Sequence, residues 1–189
     1  MKAYPNYING KWHDMAGRNR LVVENQTNEA PLGTIAECND ADADEAVAAA
    51  RAAQPGWAAL PAIQRAKALQ KLAALINENA DHLAGTLVME QGKPLNQALG
   101  EVGAAANFLT YAAEHARRIS GDIVTSDNVD EEILIRRIPR GVVVGLTAWN
   151  YPLALATRKL GPALVAGNTF ILLSHEITPL SGLALARLA

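Results

Sequence analysis

The residues of this chain whose types and spacing could do chemistry stand in a short polar turn, Thr147 to Pro152. Trp149 and Asn150 follow the run Val142 to Val144, which is bracketed by glycines and typical of a strand covered on both faces. Pro152 is typical of the first residue of a helix. In open α/β sheets ligands bind at such turns, because strand ends and helix amino termini both point there. The turn is therefore a candidate site, in which the Asn150 amide either binds a ligand or holds the turn through backbone bonds.

The elements that must position this turn repeat the same order further along the chain. A second buried strand, Thr169 to Leu173, follows the helix, and Pro179 opens another helix. Apolar residues at three- and four-residue spacing predict further helices at Ala62 to Asn79, Asp81 to Gln91 and Pro94 to Ile119. Another helix is predicted from Asn39 or Asp40 to about Gln54, where Pro55-Gly56 should end it. This alanine-rich helical block predicts a packing layer beside the two strands.

Two hairpins are predicted outside the helical block. Asn9-Gly10 is a strong two-residue hairpin signal, and Leu21 to Val23 and Thr34 to Ala36 predict further short strands. Residues 121–139 depart from helical periodicity and predict two strands with charged ends, which suits an exposed ribbon. An ordinary edge hairpin remains the alternative for this ribbon.

Several segments carry a resemblance to the aldehyde dehydrogenase family. The principal ones read TAWNYP from Thr147, RKLGPALVAGNT from Arg158, and Glu176 followed by TPL from Thr178. YINGKW from Tyr7, MEQGKP from Met89 and the run Gly121 to Gly141 extend the resemblance along most of the chain. The chain is similar to the amino-terminal part of that family, with succinate-semialdehyde and lactaldehyde dehydrogenases as the nearest types.

The resemblance implies a role for each residue of the turn. The Asn150 amide would donate to the oxygen of the thiohemiacetal that a cysteine forms with an aldehyde, a contact worth about 2.7–4 kcal/mol in known cases. Main-chain groups of Leu146, Thr147 and Ala148 would line the nicotinamide end of NAD. Trp149 would lie along the phosphate and adenosine side of the cofactor, with simple packing as the alternative. Ala148 replaces the usual proline of the family, so this turn is less constrained than in its relatives.

Two cations in the following helix match family positions. Lys159 would support the backbone of the site, with a snorkelling surface lysine as the alternative. Arg158 suits a substrate that carries a distal carboxylate, because a guanidinium binds a carboxylate through two bonds. A solvated helical arginine is the alternative for Arg158.

The end of the second strand departs from the family pattern. Leu173 and Ser174 stand where the family has lysine and proline, and His175 and Glu176 follow. Loss of that lysine removes a charge-assisted hydrogen bond of about 1.5–3 kcal/mol to the adenosine ribose and predicts weak NAD affinity. Glu176 would accept from ribose hydroxyls and would repel a 2′-phosphate, which favours NAD over NADP. His175 could replace the missing donor in part, with a solvated histidine as the alternative.

Composition excludes several other classes of function. A net charge of −2 gives no electrostatic case for nucleic acid or an anionic membrane, and no apolar stretch approaches a membrane span. Without a signal segment at the amino terminus, we expect a cytoplasmic protein. The single cysteine, Cys38, has no histidine near it in sequence to activate it. The four histidines lack ligand spacing, so no metal site is predicted.

We expect an α/β fold with an incomplete doubly wound parallel sheet, a helical layer and a β-hairpin arm. Residues 1–120 and 140–189 would form part of an NAD-binding domain, and residues 121–139 would form an arm for homo-oligomer contacts. The resemblance implies NAD-dependent oxidation of a small aldehyde to the acid. Because the family's catalytic domain, with its cysteine and general-base glutamate, is absent, we expect this chain alone to be inactive. The alternative is a non-catalytic fragment that associates with a full-length relative.

Overall fold

The computed structural model describes residues 1–189 and has an α/β fold, as expected. Its helices are α1 (Asp40–Ala59), α2 (Ala62–Glu78), α3 (Ala80–Gln91), α4 (Leu95–Glu114), α5 (Pro152–Val165) and α6 (Pro179–Leu188). Its strands are β1 (Asn6–Ile8), β2 (Lys11–His13), β3 (Arg20–Glu24), β4 (Pro31–Ala36), β5 (Asp122–Thr125), β6 (Glu132–Ile135), β7 (Val142–Leu146) and β8 (Thr169–Leu173). No helix is long and apolar enough to cross a membrane.

The two parallel strands predicted from sequence are confirmed, but the prediction that both are buried is wrong, because Val144 is 51% exposed and no residue of β8 is fully buried. β7 pairs with β8 in parallel, with Val142 opposite Thr169 and Leu146 opposite Leu173. Helix α5 connects them, so the carboxyl ends of both strands lie at one edge. Gly145 is required within β7 because a Cβ there would lie 2.2 Å from the Phe170 ring of β8.

The predicted helical layer forms the main hydrophobic core. A cluster of 22 buried apolar residues is drawn from α2 to α6 and the turn after α4. Small residues let these helices approach closely: a Cβ on Gly161 of α5 would lie 2.9 Å from the Cβ of Ala112 in α4. The turn after β7 is therefore carried by a helix packed firmly against the core.

The prediction that Pro55-Gly56 ends the first helix is wrong. Helix α1 passes through Pro55 and ends at Ala59. Its last part is anchored from outside, because Gln54 Nε2 donates to Gly167 O at 3.1 Å and Trp57 Nε1 donates to Leu164 O at 2.9 Å. These tertiary bonds hold the helix where the proline removes one backbone donor.

The other helices follow the predicted boundaries closely, except at the end of α4. That helix ends at Glu114 and tightens into a 3₁₀ turn at His115–Arg117, so the predicted extension to Ile119 is wrong. Gly92 caps α3 in the left-handed conformation (φ 72°), as its position predicted.

The hairpins predicted from turn residues are present. Asn9 and Gly10 both have positive φ, 52° and 74°, in the tight turn between β1 and β2. Strands β5 and β6 pair antiparallel, with Asp122 opposite Ile135, and all of their residues are exposed. We call this ribbon, residues 121–139, the arm.

Candidate functional site

The candidate turn joins β7 to α5 at the carboxyl edge of the parallel strands. Thr147 is buried, and both its N–H (3.1 Å) and its hydroxyl (3.4 Å) donate to the carbonyl oxygen of Leu173. The neighbouring strand therefore fixes the start of the turn. Leu146 and Trp149, by contrast, are 60% and 55% exposed and present their side chains to solvent.

The main chain of the turn is held by two side chains from the segment between α3 and α4. Gln91 Nε2 donates to the carbonyls of Trp149 (2.7 Å) and Asn150 (2.5 Å). Lys93 Nζ also donates to the Asn150 carbonyl, at 3.0 Å. The Asn150 side chain is exposed, and its amide takes part in none of the bonds that hold the turn. The structure therefore shows no turn-holding bond from the exposed Asn150 amide, and its role as a donor to a ligand stays a prediction.

A buried glutamate caps helix α5 directly behind the turn. Glu101 of α4 is 2% exposed, and its Oε1 accepts from the N–H groups of Leu153 (3.0 Å) and Ala154 (3.2 Å). Its Oε2 forms an ion pair with Lys93 Nζ at 2.5 Å. An internal carboxylate therefore occupies the N–H groups of Leu153 and Ala154, so this helix terminus does not offer those two groups to a ligand.

Helix α6 begins in the same way. Glu90, the penultimate residue of α3, accepts from Leu180 N at 2.7 Å and from Ser181 N at 2.9 Å. Burial raises the pKa of Glu90 from 4.5 to about 7, although the bonds from Ser181 and Leu180 act in the opposite direction. Each βα turn is thus followed by a helix with proline at its start and a buried glutamate on its next two N–H groups.

Sequence reasoning missed these anchoring residues. Glu90, Gln91 and Lys93 lie inside MEQGKP, which served only as a mark of resemblance. A signal was available for Glu101, because it stands in the buried stripe of α4 with Ala98 and Val102 as apolar neighbours. A charged residue on the apolar face of a helix indicates a buried partner.

The two predicted cations of α5 make different contacts. Lys159 Nζ donates to the carbonyl of Leu146 at the end of β7, so it contacts the backbone of the site. Arg158 is exposed, and its guanidinium lies 5.7 Å from the centre of the Phe108 ring on α4. Of the two, only Lys159 is brought to the turn.

The end of β8 lies beside the turn and carries the departures from the family pattern. Leu173 is 60% exposed, and Glu176 is exposed after it. The His175 ring packs edge-on against Trp149 with 5.2 Å between centroids, and its Nδ1 accepts from the Ile177 N–H at 3.2 Å. Exposed apolar side chains and a free carboxylate therefore meet at the carboxyl edge of the two strands.

The remaining candidates lie away from this edge. Cys38 is exposed before α1, where Asn6 Nδ2 donates to its sulfur at 2.8 Å. Burial is the main cause that raises the pKa of Cys38, so the thiol is poorly activated as a nucleophile. The structure contains no group of three or more His, Cys, Asp or Glu side chains that could hold a metal ion.

Comparison with known proteins gives one consistent match. Residues 12–189 match the model of the aldehyde dehydrogenase family. The chain is 49% identical over 189 residues to 3,6-anhydro-alpha-L-galactose dehydrogenase of Vibrio sp. (strain EJY3), covering all of this chain and 39% of that protein. It is 40% identical over 185 residues to lactaldehyde dehydrogenase of Escherichia coli (strain K12), covering 98% and 39%.

Solved structures agree with these matches. A structure of 3,6-anhydro-L-galactose dehydrogenase in complex with NAP superposes with a TM-score of 0.96 at 49% identity, covering 99% of this chain and 39% of that one. Lactaldehyde dehydrogenase from Escherichia coli also gives a TM-score of 0.96, at 39% identity, with coverages of 98% and 39%. The chain spans about 39% of the length of these relatives.

The stability of this fold should depend on pH through Glu90. Its folded pKa of about 7 lies above the ordinary value of 4.5, so the folded state holds this proton more tightly. The resulting stabilisation is fully present below pH 4.5 and is lost as the pH rises through 7. We expect the free energy of unfolding to fall by about 3.5 kcal/mol at most over that range, because one pKa unit corresponds to about 1.4 kcal/mol. Urea unfolding at a series of pH values measures the decline.

Two variants isolate this effect. Glu90→Gln removes the titrating group but keeps an acceptor for α6, so its free energy of unfolding should lack the decline. Glu78→Gln, at an exposed position at the end of α2, is the matched control and should retain it. A decline as steep in Glu90→Gln as in the unaltered chain would contradict the prediction.

Proposed function

Because the chain belongs to the aldehyde dehydrogenase family, we propose that it supplies the oxyanion-binding and cofactor-binding turn of an enzyme that oxidises an aldehyde to the carboxylic acid with NAD. The single observation that carries this proposal is that the main chain of Asn150 is fixed while its side chain is exposed. Its carbonyl is held by Gln91 and Lys93, and its side chain is exposed at the carboxyl end of β7.

A donor fixed in this way can stabilise a developing negative charge. When a nucleophile attacks the aldehyde carbonyl, the carbonyl oxygen becomes an oxyanion, and the Asn150 amide would donate to it. The bonds to the Asn150 carbonyl already fix the peptide, so little reorganisation is required during the reaction. Lys159 would keep the preceding strand end in place through its bond to the Leu146 carbonyl.

The residues at the strand ends fit NAD. Leu146 and Trp149 offer exposed apolar surface, main-chain groups of Thr147 and Ala148 lie between them, and the Glu176 carboxylate is exposed to accept from ribose hydroxyls. The cofactor, when bound, would accept the hydride of the aldehyde. Because Glu90 and Glu101 occupy the first N–H groups of α6 and α5, we expect the cofactor phosphates to bind elsewhere.

The cofactor choice follows from two residues. Glu176 would repel a 2′-phosphate, so we propose NAD rather than NADP for this chain. Leu173, at the position of the family's lysine, leaves no ammonium group for the ribose, so we propose weak binding. The relatives include proteins named as NADP-dependent, such as succinate-semialdehyde dehydrogenase [NADP(+)] of Escherichia coli (strain K12), at 41% identity. The proposed preference for NAD therefore rests on Glu176, and the proposed weak binding on Leu173, rather than on the family.

For the substrate we propose a small semialdehyde or hydroxyaldehyde. Relatives at 41% and 40% identity are named glutarate-semialdehyde dehydrogenase, of Pseudomonas putida, and lactaldehyde dehydrogenase. Arg158 has an exposed guanidinium 5.7 Å from the centre of the Phe108 ring, and we propose that it binds a distal carboxylate on the substrate although it does not contact the Asn150 turn in this structure.

We further propose that the 189-residue chain does not oxidise aldehydes by itself. Its one cysteine, Cys38, is bonded to Asn6 near the amino terminus and has a raised pKa. No activated nucleophile therefore stands at the Asn150 turn. NAD reduction by the purified chain with succinate semialdehyde or lactaldehyde would overturn this proposal.

A chimaera tests the role of Asn150 directly. We would replace the matched amino-terminal 39% of the Vibrio dehydrogenase by this chain, which is 49% identical to it. We expect the chimaera to oxidise aldehydes with a nicotinamide cofactor, and Asn150→Ala to lower its kcat by roughly 100- to 1000-fold, the usual effect of removing one oxyanion donor. Steady-state kinetics that follow cofactor reduction give the measurement.

The matched control for this chimaera is Asn107→Ala, at an exposed position of α4. It removes the same kind of amide from a surface position outside the turn and should leave kcat within about twofold, since surface changes usually have little effect. Equal kcat values for the two alanine variants would refute the oxyanion role. An inactive but folded chimaera with the unaltered chain would refute the proposed function itself.

We propose association through the arm as a second, non-catalytic function. The specific observation is that its strands expose apolar side chains: Ile123 is 77% exposed and the directly opposite Leu134 is 65% exposed. Such a ribbon would pair with a second copy of this chain or with a full-length relative. This would hold whether or not the chain takes part in catalysis.

Light scattering on the purified chain tests the association. We expect the mass of a dimer or a larger oligomer, and we expect Leu134→Asp to lower it to a monomer because a charge would be placed in the contact. Leu95→Asp, at a 56% exposed apolar position that begins α4, is the control and should keep the oligomer. A monodisperse monomer that also fails to co-purify with a relative would contradict the proposal.

A further inference from the structure

We infer that the buried pair Lys93 and Glu101 positions Asn150, by fixing its carbonyl and the start of the helix that follows it. This inference rests on the proposed function, since it assigns the pair a role toward the Asn150 amide. Neither side chain touches the position of the reacting atoms, so both are positioning residues.

The pair acts on two consecutive parts of the chain. Lys93 Nζ donates to the Asn150 carbonyl at 3.0 Å, which fixes the end of the turn. Glu101 accepts from Leu153 and Ala154, which fixes the start of α5. The ion pair at 2.5 Å joins these two attachments, so the turn and the helix cannot move independently.

The surroundings of Lys93 restrict it further. Its ammonium group lies 3.9 Å from the centre of the Tyr151 ring, the residue immediately after Asn150. Lys93 is 9% exposed and Glu101 is 2% exposed, so water cannot replace either partner. Lys93 therefore contacts two successive residues of the turn while its charge is balanced by Glu101.

Stability alone is a poor explanation for this pair. Removing two charges from water is costly, and replacing a buried ion pair by neutral residues is often neutral or stabilising. Helix α5 needs only an acceptor at its amino terminus, and an uncharged glutamine in place of Glu101 could supply one. What a neutral pair would lose is the second of the two donors on the Asn150 carbonyl, because Gln91 Nε2 alone would remain bonded to it.

The double variant Lys93→Met/Glu101→Gln separates these two roles. It leaves no unpaired buried charge, so it should fold even if Lys93→Met alone does not. We would label the chain with 5-fluorotryptophan and follow the ¹⁹F resonance of Trp149 and the side-chain amide signals of Asn150. We expect both to shift by more than their linewidths, while the urea midpoint stays near that of the unaltered chain. Trp57, bonded to Leu164 O at 2.9 Å, is an internal reference and should not shift.

A matched control variant and a kinetic measurement complete the experiment. Lys71→Met makes the same change at an exposed position of α2 and should shift neither signal. In the chimaera, the double variant should lower kcat by roughly 100-fold, the cost of a misplacement of about 1 Å, and change KM little. Unshifted Trp149 and Asn150 signals in the folded double variant would overturn the inference. These signals are read without aldehyde or cofactor, so an inactive chimaera would refute the proposed function and leave this test decisive.

Discussion

The fold around the candidate site depends on how two helices begin inside the protein. The first N–H groups of a helix have no partner within that helix, and buried donors without partners are costly. Helices α5 and α6 both start beneath the carboxyl edge of β7 and β8. Glu101 and Glu90 reach their N–H groups from α4 and α3. These carboxylates join the helical layer to the parallel strands and determine where each turn can lie.

This arrangement divides the work between main chain and side chains. The carbonyls of Trp149 and Asn150 are bound by Gln91, and Lys93 adds a second bond to Asn150. The side chains of the same residues are therefore left exposed and available. The capping of α5 and α6 by buried glutamates also distinguishes this site from the common nucleotide-binding turn, in which a helix amino terminus binds a phosphate. Here internal carboxylates take that place, so a bound dinucleotide would depend on the surface of the strand ends.

Local patterns in the sequence predicted much of this architecture. The valine run, the prolines that open α5 and α6, and Gly92 each have one dominant structural reading, and the structure agrees with them. The same kind of local pattern predicts the Asn150 turn as a candidate site. The anchoring bonds could not be predicted, because Glu90 and Glu101 are separated by about 90 and 50 positions from the N–H groups that they accept. The path of α1 through Pro55 was missed because it depends on bonds to Leu164 and Gly167, which lie 107 and 113 positions from their donors in sequence.

Native-state hydrogen exchange tests the central claim most directly. First-turn amides normally exchange fast, because they lack helical partners. If Glu101 and Glu90 hold the two helices as described, the amides of Leu153, Ala154, Leu180 and Ser181 will be protected as strongly as the core of the same helices. The amide of Ile63, in the first turn of α2 where no side chain caps the helix, should exchange fast. Exchange at Leu153 and Leu180 as fast as at Ile63 would contradict the account.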